Sequence, residues 1–245
     1  MNISIIVPVL NEAALIRESL TCLRERAPKA EIIVVDGTSS DRTTEFAAGL
    51  CNRLLQTAPG RARQLNAGSH AAEGEVLWFL HIDATIPDSA IAEIESALKN
   101  REIVGGFFRM RFPRRSFIYR FCDCFAHYAG LLLRIRYGDH GFFCRREIFE
   151  KIGGFPEVVL MEDADFFRKL RRAGRTAVVR QPIVVNPRRY EQIGPARLTL
   201  AFGLIGLLYI FHAPRRLLLS IYRHTCCRSS LHACSTNDFC SYSRR

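Results

Sequence analysis

Polar side chains that can take part in chemistry follow three short hydrophobic segments of the chain. The segments and their polar ends are Ile3–Leu10 with Asn11 and Glu12, Glu31–Val35 with Asp36, and Val76–Leu80 with His81 and Asp83. A carboxylate in such a position can bind a divalent cation, accept hydrogen bonds from hydroxyl or base N–H groups, or take up a proton. Structural roles are the alternative, because Asp36 can close an Asx turn and Asn11 or Glu12 can cap the following helix.

A second acidic pair, Glu162 and Asp163, opens a helix that is predicted over Glu162–Arg172 and ended by Gly174. Negative side chains stabilise a helix N-terminus through capping and the macrodipole, and this alone can explain either residue. A carboxylate can also remove the proton of a hydroxyl nucleophile, which typically accelerates a reaction by about 10²–10⁴-fold. We expect Asp165, one helical step further on, to face solvent.

Four arginines are candidates for binding phosphate. Arg188 and Arg189 follow a predicted strand, and a guanidinium group pairs bidentately with phosphate oxygens. A basic strand end without a ligand is the structural alternative. Arg61 and Arg63 open a predicted helix, where free N–H groups already favour an anion.

Two glycine-containing segments can also contact a ligand. Gly105 and Gly106 interrupt a predicted strand, which indicates either a close approach of a ligand to the backbone or a β-bulge. Asp139 and His140 lie in a glycine-rich loop between aromatic residues, where they can contact a ligand or simply form a turn.

Strand-like and helix-like segments alternate along the chain, which predicts a doubly wound α/β sheet. Besides the three strands above, the predicted elements of the first half are helices over Glu12–Arg26, Asp41–Leu50, Arg61–Ala72 and from Asp88 onward. Those of the second half are a strand over Ile103–Phe112, helices over Ser116–Leu133 and Arg145–Ile152, and one or two strands over Thr176–Val185, interrupted by Pro182. Since ligands of such sheets bind beyond the carboxyl ends of the strands, the polar ends should line one crevice.

Charge is distributed unevenly along the 245 residues, a length that suits one α/β domain with a short appendage. Residues 1–100 carry 9 basic and 13 acidic side chains, whereas residues 101–245 carry 26 basic and 11 acidic ones. A basic C-terminal half suggests an anionic partner such as phosphates, acidic lipid or nucleic acid, and a solubilising surface is the alternative.

Several classes of protein are excluded by missing motifs. No Gly-x-Gly-x-x-Gly follows a strand and no Walker A loop is present, so neither a dinucleotide oxidoreductase nor a P-loop NTPase fits. The N-terminal residues lack the basic region and cleavage site of a secretory signal, so we expect a cytoplasmic protein in a reducing compartment.

The C-terminal part combines an apolar run with basic residues. Leu198–Phe211 is the longest uncharged apolar run, and at 1.5 Å per residue it reaches roughly 21 Å, short of a bilayer core of about 30 Å. With Arg215, Arg216 and Arg223 behind Pro214, it predicts a helix that either packs on the sheet or lies on an anionic inner leaflet.

The nine cysteines fall into two groups. Five of them are predicted to be ordinary buried thiols, namely Cys22, Cys51, Cys122, Cys124 and Cys144. The others lie in a tail that we expect to be disordered, and zinc binding there is the alternative; the ligands would be Cys226, Cys227, Cys234 and Cys240 with His224 and His232.

Six motifs together resemble glycosyltransferase family 2, from about residue 3 to Tyr222. In chain order they are IIVPVLNE (5–12), VVDGTSSDRT (34–43), FLHIDA (79–84), GGF (105–107), IGGFPEVVLMEDADFFRKLRRAG (152–174) and RRYE (188–191). Two further segments, PGRARQLNAG (59–68) and YGDHGFF (137–143), resemble a bacterial subgroup of small stand-alone members, some of which are linked to arsenosugar biosynthesis.

This resemblance implies an α/β protein of the GT-A fold, with a doubly wound mixed sheet flanked by helices over residues 1–197. The apolar and basic helical segment 198–223 and the tail 224–245 would follow. It implies an inverting enzyme that moves a sugar from a nucleotide-diphospho-sugar to an acceptor hydroxyl. UDP is the expected nucleotide, and Mn²⁺ or Mg²⁺ is the implied cofactor.

The resemblance also implies roles for individual residues. Asp163 would be the catalytic base with Glu162 orienting the acceptor, and Asp83 would be a metal ligand with His81 beside it. The residues implied for nucleotide-sugar binding are Pro8, Asn11, Glu12, Asp36, Arg63, Arg188 and Arg189. Those implied for contact with the acceptor or sugar are Gly106, Asp139 and His140.

Three positions depart from the family pattern. The usual metal motif Asp-x-Asp is His81-Ile82-Asp83 here, and an imidazole at the first position favours Mn²⁺ over Mg²⁺. His140 stands where the subgroup usually has Gln, and Pro187 precedes the arginine pair.

Two other functions match the residues less well. A sugar nucleotidyltransferase would need a glycine-rich loop with Arg and Lys after the first strand, where this chain has Asn11 and Glu12. A basic membrane- or nucleic-acid-binding module would explain the positive charge but not the acidic residues at the strand ends. We therefore expect no nucleic acid partner.

Overall fold

A computed structural model describes residues 1–113, 117–120, 124 and 135–226. Most of the helix expected over Ser116–Leu133 lies outside these residues, although residues 117–120 are helical. The tail beyond residue 226 also lies outside them, and so do the zinc ligands considered there, apart from His224 and Cys226.

In the described part of the chain, eight strands form one mixed sheet in the order β3-β2-β1-β4-β7-β6-β8-β5. The strands are β1 Ile3–Val9, β2 Glu31–Asp36, β3 Arg53–Gln56, β4 Val76–Phe79, β5 Ala84–Thr85, β6 Ile103–Arg111, β7 Phe143–Arg145 and β8 Arg175–Val185. β1 pairs in parallel with β2 and β4, while β7 runs antiparallel between β4 and β6. The predicted mixed α/β sheet is confirmed, and the carboxyl ends of β1, β2 and β4 share one edge.

The helices flank this sheet. Those of the described residues are α1 Ile16–Arg26, α2 Thr43–Ala47, α3 Arg61–Ala71, α4 Ala90–Leu98, α5 Arg146–Lys151, α6 Glu162–Ala173, α7 Arg188–Ile193, α8 Pro195–Ile210 and α9 Arg215–Cys226. α1 begins four residues later than predicted, because Asn11 adopts a left-handed φ of 55° and the Glu12 carbonyl first accepts the N–H groups of Leu15 and Ile16.

Three short strands were not predicted from the sequence. β3, β5 and β7 have four, two and three residues, too few to display a hydrophobic period. β8 is one strand rather than two, because the sheet tolerates Pro182 at an irregularity. There, Phe108 pairs with Val179 but the next residue, Arg109, pairs with Pro182.

Both faces of the central strands are buried, as expected for parallel strands covered by helices. Ile5 and Val7 of β1 pack into one hydrophobic cluster, and Ile6 packs into the cluster on the opposite face. The second cluster is aromatic, with Phe155 stacked on Phe166 of α6 at 4.0 Å between ring centroids. This packing anchors α6 and therefore fixes the direction of its first turn.

The C-terminal helices α8 and α9 pack against each other and against the residues around the start of α6. Leu160, Met161 and Ala164 form a third hydrophobic cluster with residues of both helices, including Tyr209 and Leu218. The 198–223 segment thus buries one face on the rest of the chain. None of the helices in the described residues is long and apolar enough to cross a membrane.

The cysteines of the described residues differ in exposure. Cys144 is buried in β7, and burial raises the pKa of its thiol. Cys22 and Cys51 are half-buried, and the expectation of burial was wrong for Cys124, which is exposed.

Candidate active site

The carboxyl ends of β1 and β2 meet in a polar crevice. Asp36, the last residue of β2, is fully buried, and its Oδ2 accepts the N–H groups of Thr38 at 3.0 Å and Ser39 at 2.9 Å. The Ser39 hydroxyl donates to the other carboxylate oxygen. Asp36 therefore orders the loop that follows it, which is the Asx-type turn considered above.

Asn11 joins the end of β1 to the same loop. Its Oδ1 accepts the N–H of Ser40 at 2.8 Å, and its own N–H donates to the Ser39 hydroxyl at 2.8 Å. Glu12 is buried, and its N–H donates to Thr43 Oγ1 at 2.7 Å. Pro8 lies one residue before the end of β1, which places these predicted nucleotide-binding residues at one end of the crevice.

Gln64 links the two strands whose ends form this crevice, and it was not predicted as a site residue from the sequence. Its Nε2 donates to the carbonyls of Val9 and Val35, each at 2.8 Å, and so bridges β1 and β2 from α3. The detectable signal was a polar residue on the buried face of α3, between the buried Ala62 and Leu65.

Arg61, at the start of α3, lies at the other end of the crevice and contacts three polar side chains there. Its Nη2 is 3.2 Å from Asp163 Oδ2, and its Nε is 3.9 Å from Glu162 Oε1. The same guanidinium contacts His81 Nε2. Arg61 therefore joins the acidic start of α6 to the residues that follow β4.

Glu162 and Asp163 project inward because the chain turns sharply before α6. Met161 adopts a left-handed φ of 69°, a costly conformation for a non-glycine residue that occurs preferentially at functional sites. Both acidic side chains are consequently buried, with residue exposures of 4% and 5%. Helix capping and the macrodipole alone do not require such burial.

Asp163 is held from one side only. Its Oδ2 accepts the N–H of Gly138 at 2.9 Å and faces Arg61, whereas its buried Oδ1 has no hydrogen-bond partner among the described residues. Gly138 is required here, since a Cβ at this position would stand 1.7 Å from Arg61 Nη2 and 2.8 Å from Asp163 Oδ2.

Burial shifts the proton affinity of these carboxylates. It raises the pKa of Glu162 from 4.5 to about 7, with Asp163 acting in the same direction and Arg61 opposing. Burial also raises the pKa of Asp163, and Arg61 again works against that shift. A carboxylate with a raised pKa is a stronger base, and raised values are typical of functional sites.

A further part of the site consists of His81 and Asp83, which follow β4, and of Asp139. His81 Nε2 is 3.6 Å from Asp139 Oδ1, and burial together with the nearby Asp139 raises the pKa of Asp83 to about 6. These donors suit a hard or borderline cation, which would relieve the repulsion between the carboxylates. Within the described residues, no group of three or more His, Cys, Asp or Glu is arranged to hold a metal by itself.

The two arginines after β8 point in different directions. Pro187 is the N-cap of the short helix α7, and Arg188 and Arg189 are the first two residues of that helix. Arg188 Nη2 is 3.9 Å from Glu12 Oε2, on the crevice side. Arg189 donates to the Tyr222 hydroxyl at 2.6 Å and stacks over that ring, which ties it to α9.

Three other predicted residues have structural partners in the described part of the chain. Arg63 forms an ion pair with Glu157 at 3.0 Å and is more than a third exposed. His140 is buried and its Nδ1 donates to the Phe108 carbonyl at 3.0 Å. Gly106 lies inside the sheet, where a Cβ would be 2.4 Å from the Ala177 carbonyl oxygen, so the close approach is made by a neighbouring strand.

The expectation that Asp165 faces solvent was wrong. Its side chain is only 18% exposed, accepts a hydrogen bond from the Tyr209 hydroxyl at 2.5 Å and pairs with Arg215. The cause is the approach of α8 and α9, which the helical period of α6 alone does not indicate.

A mixed sheet with acidic and basic side chains gathered at its carboxyl edge is the architecture of the GT-A glycosyltransferases. One solved relative in fold is the mannosyltransferase PcManGT from Pyrobaculum calidifontis, in complex with GDP-Man and Mn²⁺. It has 22% identity and a TM-score of 0.63, with 91% of this chain and 69% of that chain covered. Another is glucosyl-3-phosphoglycerate synthase from Mycobacterium tuberculosis with Mn²⁺, UDP and glucosyl-3-phosphoglycerate, at 18% identity and TM-score 0.57, covering 87% of this chain and 81% of that chain.

The family follows from the sequence comparison. The model of Glycosyl transferase family 2 matches residues 4–153, and the chain belongs to this family. The probable glycosyltransferase YdaM from Bacillus subtilis (strain 168) is 27% identical over 199 residues. That alignment covers 71% of this chain and 47% of YdaM, so this chain spans about half the length of that relative.

Proposed function

We propose that this protein is an inverting glycosyltransferase that uses a UDP-sugar and an acceptor hydroxyl. The observation that carries the proposal is the cluster of Glu162, Asp163 and His81 around Arg61, next to the crevice at the ends of β1 and β2. A basic module without catalysis would have no use for acidic side chains buried together in this way. Residues 1–197 form the catalytic domain in this proposal.

The nucleotide occupies the crevice that Asp36 and Asn11 order. Asp36 fixes the loop after β2, and this loop offers backbone and hydroxyl groups to the base and ribose together with the carboxylate itself. Pro8 and Glu12 line the neighbouring strand end. UDP as the nucleotide is supported by the UDP bound to the synthase from Mycobacterium tuberculosis.

The diphosphate lies between the residues that follow β4 and the helix α7. Arg188 supplies positive charge from the Glu12 side, with Arg189 and Arg63 as the further basic residues of this region. Asp83 and His81 would hold Mn²⁺ or Mg²⁺, with the remaining coordination positions left to phosphate oxygens and water. A bound divalent cation neutralises negative charge on a departing diphosphate. The relatives in fold that were solved with Mn²⁺ support this assignment.

Asp163 acts as the general base. Its Oδ1 accepts the proton of the acceptor hydroxyl while the hydroxyl oxygen forms a bond to the anomeric carbon. The bond from that carbon to the diphosphate oxygen breaks, and the electron pair leaves with UDP. Attack opposite the leaving group inverts the anomeric configuration. Arg61 and the Gly138 N–H hold Oδ2, so that Oδ1 keeps a fixed direction, and Glu162 and Asp139 orient the acceptor and sugar.

A thermal-shift screen against UDP-, GDP- and dTDP-sugars, each with and without Mn²⁺, tests this proposal. A ligand that binds only the folded state raises Tm, so UDP-sugars with Mn²⁺ should give the largest increase. The proposal fails if no nucleotide raises Tm. If a GDP- or dTDP-sugar gives the largest increase, the class stands and the UDP assignment is wrong.

A further inference from the structure

The helix α8 has apolar side chains on two faces, and only one of them is covered in the described structure. Leu198, Ile205 and Tyr209 are buried against the rest of the chain. Leu200, Leu204, Leu207 and Phe211 follow one another at spacings of four, three and four residues, which places all four side chains in one stripe along the helix.

This stripe is exposed to an unusual degree for large apolar side chains. Leu200 and Phe211 at its ends are 67% and 75% exposed, and Leu204 and Leu207 between them are 47% and 44% exposed. Single exposed leucines are ordinary on a protein surface, but a contiguous row indicates an interaction site. The row extends over roughly 17 Å at 1.5 Å per residue.

The charge around the stripe has one sign. Residues 192–226 contain four arginines and neither Asp nor Glu. Arg215 pairs with Asp165, and the other three, Arg197, Arg216 and Arg223, are exposed. Arg216 and Arg223 lie on one face of α9, together with Leu219, Ser220 and His224.

We propose that α8 and α9 dock this protein on the anionic surface of a lipid bilayer. The stripe from Leu200 to Phe211 enters the boundary between headgroups and acyl chains, while Arg197, Arg216 and Arg223 contact lipid phosphates. A second copy of the chain fits the surface less well, because two such faces would bring like charges together. Nucleic acid would leave the apolar stripe uncovered.

Docking would also set the position of the candidate active site. The helices α8 and α9 hold Asp165 through Tyr209 and Arg215, and Asp165 lies in the first turn of α6 with Asp163. The membrane contact therefore holds the acidic start of α6 near the bilayer. The exposure and charge of α8 and α9 are independent of the proposed transfer reaction.

Flotation with lipid vesicles tests the proposal. The full chain is mixed with vesicles of phosphatidylcholine alone or with about 30 mol% phosphatidylglycerol added, which supplies the anionic surface. We expect flotation with the anionic vesicles, weakened by salt because charge contributes. The double variants Leu204→Glu/Phe211→Glu and Arg216→Glu/Arg223→Glu should each lower the partition coefficient about tenfold or more.

Two matched variants control for the chemistry of the substitutions. Leu54→Glu adds a charge at an exposed leucine of β3, and Arg101→Glu reverses an exposed arginine before β6; both should float like the unaltered protein. Circular dichroism and the Tm shift with UDP report whether each variant is folded, independently of lipid.

Three results would overturn the proposal. They are no flotation with anionic vesicles, flotation that the α8 and α9 variants leave unchanged, or a dimer in light scattering that Leu204→Glu/Phe211→Glu dissociates. The last result would assign the stripe to a second copy. Loss of UDP binding with flotation intact would contradict the proposed function alone.

Discussion

At the scale of single residues, the account depends on how Asp163 is held. One oxygen faces Arg61 and accepts the Gly138 N–H, and the other is buried without a hydrogen-bond partner among the described residues. An orphaned buried carboxylate oxygen costs free energy unless a ligand satisfies it. In the proposed reaction, the acceptor hydroxyl would supply that missing hydrogen bond.

Asp163→Asn should separate binding from transfer. The amide keeps the shape of the side chain but cannot take up the acceptor proton, so we expect kcat to fall by about 10²–10⁴-fold while UDP affinity stays within a few fold. Initial rates with a UDP-sugar and titration calorimetry with UDP measure the two properties. Transfer at the unaltered rate would show that Asp163 is not the base.

Gly138→Ala should disable the site although no charged residue is substituted. The new methyl group would overlap Arg61 Nη2 and crowd Asp163 Oδ2, so Arg61 has to move and we expect transfer to be lost. Gly49→Ala is the control, because its Cβ meets nothing within 4 Å, although its φ of 80° costs some stability. Equal transfer rates in the two variants would contradict the geometry described for Gly138.

The buried Glu162 makes stability depend on pH. Its pKa is about 7 in the folded protein against 4.5 ordinarily, so the folded state binds more protons between these values and stability falls as pH rises through that window. Glu162→Gln should therefore raise Tm at pH 8 by at least about 2 °C, and by less at pH 5. Differential scanning calorimetry at both pH values measures this, and a gain that is independent of pH would argue against the buried charge.

At the scale of elements, the site depends on the contact of α6 with α8 and α9. Asp165 accepts the Tyr209 hydroxyl and pairs with Arg215, and Arg215 also donates to the Leu160 carbonyl. These bonds clamp both ends of the sharp turn at Met161. The C-terminal helices therefore help to keep Glu162 and Asp163 in place.

Asp165→Asn should weaken this clamp. The side chain is 18% exposed and that of Arg215 is 36% exposed, so solvent screens the pair in part and we expect a loss of about 1–2 kcal/mol. Asp88→Asn is the matched control, since Asp88 pairs with Arg26 through a side chain that is 90% exposed. Urea unfolding measures both variants, and equal stability of the two would show that the clamp contributes nothing.

Local sequence patterns predicted the elements that carry the site but not how distant elements meet. The buried strands ending at Val9, Asp36 and Phe79 have clear apolar runs, and the shared edge follows from the topology of the sheet. The central position of Arg61 depends on Gly138 and α6, which are far away in the sequence. Because no local period reports such a contact, the sequence offered Arg61 and Arg63 alike as phosphate-binding candidates and did not predict that Arg61 contacts Glu162 and Asp163.

At the scale of the whole molecule, charge is unevenly distributed along the chain, but the candidate site takes residues from both parts. The first 100 residues have an acidic balance of 13 to 9 and contain Asp36, His81, Asp83 and Arg61, whereas the later residues are strongly basic. The later part nevertheless supplies Glu162 and Asp163, and the fold brings them to Arg61 of the first part.

Titration calorimetry of UDP into the full chain, with and without Mn²⁺, tests the central claim most directly. The account predicts one exothermic site that requires Mn²⁺ and that weakens at least about tenfold in Asp83→Ala, because a ligand of the cation is removed. Asp88→Ala, an exposed carboxylate, should bind like the unaltered protein. Absence of binding, or an affinity for UDP and Mn²⁺ that Asp83→Ala leaves unchanged, would contradict the account.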